Sequence, residues 1–300
     1  MLLLLPLPWR VFLFSIIHLL LTINDHHQLL FLTFFFFVGF LNKFVHGMAS
    51  ELEQVPFGYT GQTGPANWGK LNPQFKECAA GKSQSPVDII TNETELNPNL
   101  KPLSRYYHPG KGTLLNNGFN VEVLFDEDVG VLLVDGKNYS LKQMHWHSPS
   151  EHRIDGIQYP AELHLVHKTD DGKIAVVAIL YQYGDPDPLL SKLKNKLHEL
   201  GTDVCASDEQ SQVSLGTVDT KLIRRNTRKY YRYMGSLTTP PCSEKVTWHI
   251  LGKIRDISKD QVAALKAPLN SDSKDNSRPL QPLNGRRIQL YDETPDENDA

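Results

Sequence analysis

"NYSLKQMHWHSPSEH" (residues 138–152) is the stretch from which the rest of the chain can be read. Its first ten residues suit a β-strand, and side chains in a strand alternate between two faces. His145 and His147 therefore share one face with Gln143. Trp146 points the other way, toward a core. An imidazole pair on one strand face is either a pair of ordinary polar strand residues or half of a metal site, in which case the other half must lie elsewhere. It is found sixteen residues on, where "AELHLVHK" (161–168) supplies His164 from a second strand. The intervening "SPSEHRIDGIQYP" is long enough for a loop and an antiparallel return. Three neutral imidazoles with no thiolate among them suit Zn²⁺ in an open site that keeps one position for water. Glu162 shares the face of His164 and is an acceptor for that ring's outer N–H. Gln143 serves His145 in the same way.

The surrounding chain has the same character. "FNVEVLF", "GVLLVDG", "KIAVVAILYQ" and "KVTWHILG" read as strands, bounded by Gly, Asp or Pro. Asp135-Gly136 between two of them is a hairpin signal. Two helices are expected. "DPDPLLSKLKNKLHEL" has an apolar stripe at 190, 193, 197 and 200, with Asp187 as its cap and Pro188 in first position. "SKDQVAALKA" opens on the capping-box pair Ser258 and Gln261. Residues 50–110 are rich in Gly, Pro and Asn and read as loops. The fold expected is mostly β, with short peripheral helices.

Residues 1–49 stand apart. Two apolar runs, "MLLLLPLPWRVFLFSIIHLLL" and "LLFLTFFFFVGFL", flank a polar stretch. The second, with Gly47 and Ala49 at −3 and −1 of a cut after Ala49, reads as a secretory signal. The first is either a membrane anchor or a sign that the true start lies downstream. Without Arg10, Lys43 and Asp25, the remainder carries 29 basic and 33 acidic residues. That balance argues against nucleic acid as a partner. The basic run at 221–233 reads as a solvated strand and loop. Export permits a disulfide, and Cys78, Cys205 and Cys242 allow one bridge with one thiol left over. Asn92 and Asn138 head glycosylation sequons. The expected domains are 1–49 (targeting), 50–291 (catalytic) and 292–300 (an acidic disordered tail).

Beyond its histidines, the chain contains "FGYTGQTGPANW", "QSPVDI", "GSLTTPPC" and "NSRPLQPL" in that order, and it resembles the α-class carbonic anhydrases of plants. The resemblance runs from about residue 57 to 291. It implies one domain built on a central, mainly antiparallel twisted sheet of about ten strands, with Zn²⁺ held by His145, His147 and His164. It makes Gln143 and Glu162 the outer partners of the ligands. Thr238 would accept from zinc hydroxide and donate to Glu151. An ionised carboxylate is acceptor-only, so it compels that direction. Thr239 and the Thr238 N–H would hold bicarbonate. Val166, Val176, Leu237, Val246 and Trp248 would wall the recess for CO₂. Cys78 and Cys242 would form the bridge and Cys205 would remain free. Tyr59, Asn117 and Asn120 match or lie near positions that order cleft water. His152 receives no task beyond a surface or structural one.

One departure matters. Phe119 in "NNGFN" occupies the position of the histidine that carries protons out of the cleft in fast members, and phenylalanine cannot carry one. The expected activity is reversible hydration of CO₂ to bicarbonate, limited by proton transfer. The alternative is a low-activity storage or nectar-type relative. A zinc protease is disfavoured because H-E-x-x-H is absent. The expected partner is the small-molecule substrate alone, with no membrane span in the mature form and a monomer or weak dimer. The expected route is secretory: apoplast first, with plastid or vacuole open.

Overall fold

The computed structural model describes residues 56–203, 211–223 and 228–293. The targeting segment 1–49, Cys205 and the tail beyond 293 lie outside the described residues. The strands are β1 (Asp88–Ile89), β2 (Glu95–Leu96), β3 (Ser104–Tyr107), β4 (Gly110–Asn116), β5 (Val121–Phe125), β6 (Gly130–Val134), β7 (Lys137–His147) and β8 (Arg153–Ile154). They continue as β9 (Ile157–Gln158), β10 (Ala161–Lys168), β11 (Ile174–Tyr183), β12 (Gln212–Val218), β13 (Lys229–Ser236), β14 (Glu244–Leu251), β15 (Arg255–Ile257) and β16 (Gln289–Asp292). Among the described residues the helices are α1 (Trp68–Leu71), α2 (Glu77–Ala80), α3 (Pro188–Asp203) and α4 (Lys259–Lys266), with short 3-10 turns between.

The main sheet has thirteen strands, more than the ten or so expected. Ten of them form one path, β12-β4-β5-β7-β10-β11-β14-β13-β16-β2, while β3, β6 and β15 pair off it. The pairs β7/β10 and β10/β11 at its centre are antiparallel, and β11/β14 is parallel. The remaining strands β1, β8 and β9 make a small separate sheet. The hairpin β6–β7 turns at Asp135-Gly136, with φ of +48° and +76°. Two successive left-handed residues match the twist of the flanking strands. Strand β16 runs through Asp292, one residue beyond the expected domain end, and pairs with Lys229 of β13.

The period-2 pattern assigns each face its own core. Met144, Trp146, Leu163, Leu165, Val177 and Ile179 project to one side, under α3 and α4. Leu190, Leu193, Leu197 and Leu200 of α3 are all buried there. Asp187 Oδ1 caps α3, accepting from the N–H of Leu189 at 2.9 Å and of Leu190 at 3.1 Å. Gln261 completes the α4 capping box and also bonds both backbone groups of Asp187, so one side chain ties the two helix starts together. The opposite face carries a second cluster of Val176, Ala178, Val246, Trp248 and Ile250. The histidines lie on that second face. Among the described residues no helix is long and apolar enough to cross a membrane.

Candidate metal centre

Antiparallel register sets His164 of β10 directly opposite His145 of β7, and Glu162 opposite His147. Two adjacent strands thus deliver three imidazoles to one spot, with one nitrogen from each within 4.8 Å of the others. Each ring's outer nitrogen meets a group that can only accept. His145 Nδ1 lies 2.7 Å from Gln143 Oε1, His147 Nδ1 2.6 Å from the Asn276 carbonyl, and His164 Nε2 2.8 Å from Glu162 Oε1. Those outer nitrogens must carry the hydrogens, so the inner ones carry lone pairs.

The inner side consequently gathers ring lone pairs that face one another. His164 Nδ1 faces His145 Nε2 at 3.3 Å. His147 Nε2 is buried without a hydrogen-bond partner among the described residues, and so is Glu151 Oε2, 3.5 Å from it. Glu151 Oε2 lies 4.0 Å from His164 Nδ1. Converging lone pairs repel unless a cation lies between them, so the donor set fits a metal ion. Burial also lowers the pKa of all three histidines, His147 to about 4, and mutual repulsion adds to this for His145. Neutral imidazole is the form that ligates.

Glu162 is the most heavily bonded carboxylate at the site. Its Oε1 accepts from His164 at 2.8 Å and from His152 Nδ1 at 2.6 Å, and its Oε2 accepts from the N–H groups of Glu151 and His152, both at 2.8 Å. Burial pushes its pKa up, but electrostatic attraction to the His152 and His164 rings and the hydrogen bonds from them outweigh that and hold the carboxyl well below the usual range. His152 therefore has a definite structural place. Fully buried, it links Glu162 to the Tyr233 hydroxyl at 2.8 Å, and Tyr233 bonds Ser85 Oγ at 2.7 Å.

Glu151 is held differently. Its Oε1 accepts from the Arg278 N–H at 2.9 Å. Burial raises its pKa to about 7, against the lowering pull of His164, the Thr238 hydroxyl and the Arg278 N–H. A cation held by the triad would lower it further, since Oε2 faces two of the three lone pairs. Thr238, also buried, lies just after β13 in a loop whose return is closed by the disulfide Cys78–Cys242. The Cys242 N–H donates to the Thr239 carbonyl at 2.9 Å within that loop.

The expected apolar wall comes together. Val176, Val246 and Trp248 are buried in the second-face cluster, and Val166 and Leu237 pack against it. The Trp248 ring lies 4.9 Å from that of His164. Phe119 is partly buried and packs against a third cluster with Trp68 and the disulfide, its ring 4.6 Å from that of Phe57. Tyr59 is buried nearby, and Asn117 and Asn120 bond each other.

Three further residues at the site are not singled out by the sequence. Asn276 presents its carbonyl to His147 while its side chain accepts from Ser148 N–H and donates to the Phe119 carbonyl. Arg278 spans Gln84, Ser85 and Cys78 with its guanidinium while its N–H holds Glu151. Both lie in "NSRPLQPL", and both reach the site through backbone atoms, which leave no signature in residue type. The third is Glu122 on β5, whose carboxyl burial raises to about 7.

Residues 63–292 match the family model of eukaryotic-type carbonic anhydrases, and the chain belongs to that family. Alpha carbonic anhydrase 7 of Arabidopsis thaliana is 37% identical over 246 residues, which is 82% of this chain and 88% of the relative. Dioscorin DB3L of Dioscorea polystachya is 39% identical, over 79% of this chain and 86% of its own. Among solved structures, a dioscorin complexed with ascorbate superposes with a TM-score of 0.77 at 36% identity, covering 80% of this chain and all of that one. The α-carbonic anhydrase of Thermovibrio ammonificans, complexed with the inhibitor sulfanilamide, gives 0.69 at 35% identity, over 78% and 99%. The protein is an α-class carbonic anhydrase with a small-molecule substrate.

Proposed function

We propose that the chain hydrates CO₂ reversibly to bicarbonate and a proton at a zinc ion held by His145 Nε2, His147 Nε2 and His164 Nδ1. The observation that carries this reading is the set of converging lone pairs, each fixed by an acceptor on the ring's far side. Zinc, when bound there, supplies a Lewis acid that makes water a nucleophile near neutral pH. Glu151, as carboxylate, accepts a hydrogen bond from the Thr238 hydroxyl. The Thr238 oxygen is then left with only lone pairs, and it orients a donor on the metal side toward the recess. Val176, Val246 and Trp248, with Val166 and Leu237, offer CO₂ a surface without charge. Thr239 and the Thr238 N–H hold the bicarbonate that forms.

Phe119 carries no proton, so release depends on water or dissolved buffer. Hydration should accelerate with imidazole-type buffer, and Phe119→His should raise turnover in dilute buffer. A fast rate that ignores buffer concentration would refute the proton-transfer limit. A second reading, a low-activity relative, is prompted by the likeness to dioscorins. The intact set His145, His147, His164, Glu151 and Thr238 favours the enzyme. The Cys78–Cys242 bridge and the exposed side chains of Asn92 and Asn138 agree with a secretory route, apoplastic in the first place. N-terminal sequencing with intact-mass measurement checks cleavage after Ala49 and glycan addition.

A further inference from the structure

A cavity of about 190 Å³ lies between residues 99–104, the tip of the β6–β7 hairpin at 133–136, and strands β13 and β14. His249 of β14 lines it. Alternation turns His249 away from its neighbours Trp248 and Ile250, which belong to the triad's face. The sheet therefore separates this cavity from the metal centre. Leu100, Leu103, Leu133 and Val134 give it apolar walls.

Most of its polar groups are already engaged. Arg232 forks Asp135, Nη1 donating to Oδ1 at 2.9 Å and Nη2 to Oδ2. The Tyr230 hydroxyl donates to the Lys101 carbonyl at 2.8 Å. His249 is the exception. It is 1% exposed, and its Nδ1 is buried with no hydrogen-bond partner among the described residues. The ring's other nitrogen donates to the Val176 backbone, which places the hydrogen on Nε2 and leaves a lone pair on Nδ1. Burial, with the Arg232 charge beside it, lowers the ring's pKa to about 3, so that lone pair stays unprotonated at neutral pH. A buried acceptor is costly until a donor reaches it.

The cavity's volume is that of roughly six liquid waters, or of a ligand of about six to ten non-hydrogen atoms. Arg232 and Asp135 neutralise each other, and Lys101 is exposed to solvent, so a charged ligand gains little here. We propose that this cavity is a second ligand site, taking a small neutral alcohol whose hydroxyl donates to His249 Nδ1 and whose apolar body rests on the leucine wall.

The probe is cyclohexanol. Its control is cyclohexanone, which has the same ring but an acceptor in place of the donor. Amide chemical-shift titration of the purified protein should show cyclohexanol binding with a Kd on the order of millimolar. The shifts should gather at residues 133–136, 230–232 and 248–250, away from the triad. Cyclohexanone should bind roughly tenfold more weakly, because it leaves Nδ1 unpaired. His249→Phe keeps a ring and removes the lone pair, so the preference for alcohol over ketone should vanish in that variant. The comparison of the two probes on the unmodified protein stands whether or not the variant folds, and it depends on neither zinc nor CO₂ hydration. No binding, meaning a cavity that takes water only, overturns the proposal. Equal binding of alcohol and ketone, shifts gathered around the triad, or a preference retained in His249→Phe would each do the same.

Discussion

At the scale of single residues, function here depends on which nitrogen of each ring is free. Gln143, Asn276 and Glu162 each fix one tautomer from outside, and three lone pairs converge as a result. Replacing Glu162 with Gln should lower zinc affinity 10–100-fold, the usual cost of an outer partner, measured by competition with a chromophoric chelator. Thr238→Ala should leave zinc content unchanged and lower kcat/KM for hydration roughly 10²-fold, the scale of losing one orienting hydrogen-bonding group. Stopped-flow kinetics with metal analysis checks both halves, and an unchanged kcat/KM would remove Thr238 from the mechanism. Much of this scale is legible in the sequence. The i, i+2 spacing by itself puts His145, His147 and Gln143 on one face, and the order of motifs picks out Thr238 and Glu151. His152 is not legible, because its burial against Glu162 and Tyr233 depends on three distant segments meeting.

Among elements, the strands and both long helices follow from alternation and caps, and Asp135-Gly136 turns the hairpin as its residue types require. The number of strands is less legible. Strands of two or three residues such as β2 and β15 carry too little pattern to separate them from loops. The disulfide acts at this scale. It closes a sequence separation of 164 residues and joins α2 to the loop after Thr238 and Thr239. Arg278 bonds the Cys78 carbonyl at 3.0 Å and holds Glu151 by its own N–H, so the bridge has a route to the site. Cys78→Ala should cost about 2–5 kcal/mol of stability and should lower turnover as well. Denaturant unfolding and hydration assays measure the two. Both unchanged would contradict this account of the bridge.

For the whole molecule, the sheet separates an apolar core from a polar, metal-competent face, but the separation is incomplete. His167 and His249 are buried on the far side, and burial lowers both to about 3, helped by Arg105 near His167 and Arg232 near His249. Unfolded, they titrate near 6.5. Because the unfolded chain binds those protons first, stability is full above about 6.5 and is lost as pH falls toward 3. Glu122 and Glu151, each raised by burial to about 7, work in the opposite direction between their ordinary 4.5 and 7. The net loss should therefore be steepest below 4.5, and Tm against pH should flatten there in His167→Gln relative to its own neutral-pH value. A Tm level from pH 7 to 3.5 would refute it. The central claim, a hydrating zinc centre, is tested most directly by the CO₂ hydration rate of the purified protein before chelation, after removal of metal, and after one equivalent of zinc is returned. The account predicts activity, its loss and its recovery, while a fully zinc-loaded protein no faster than buffer alone would contradict it.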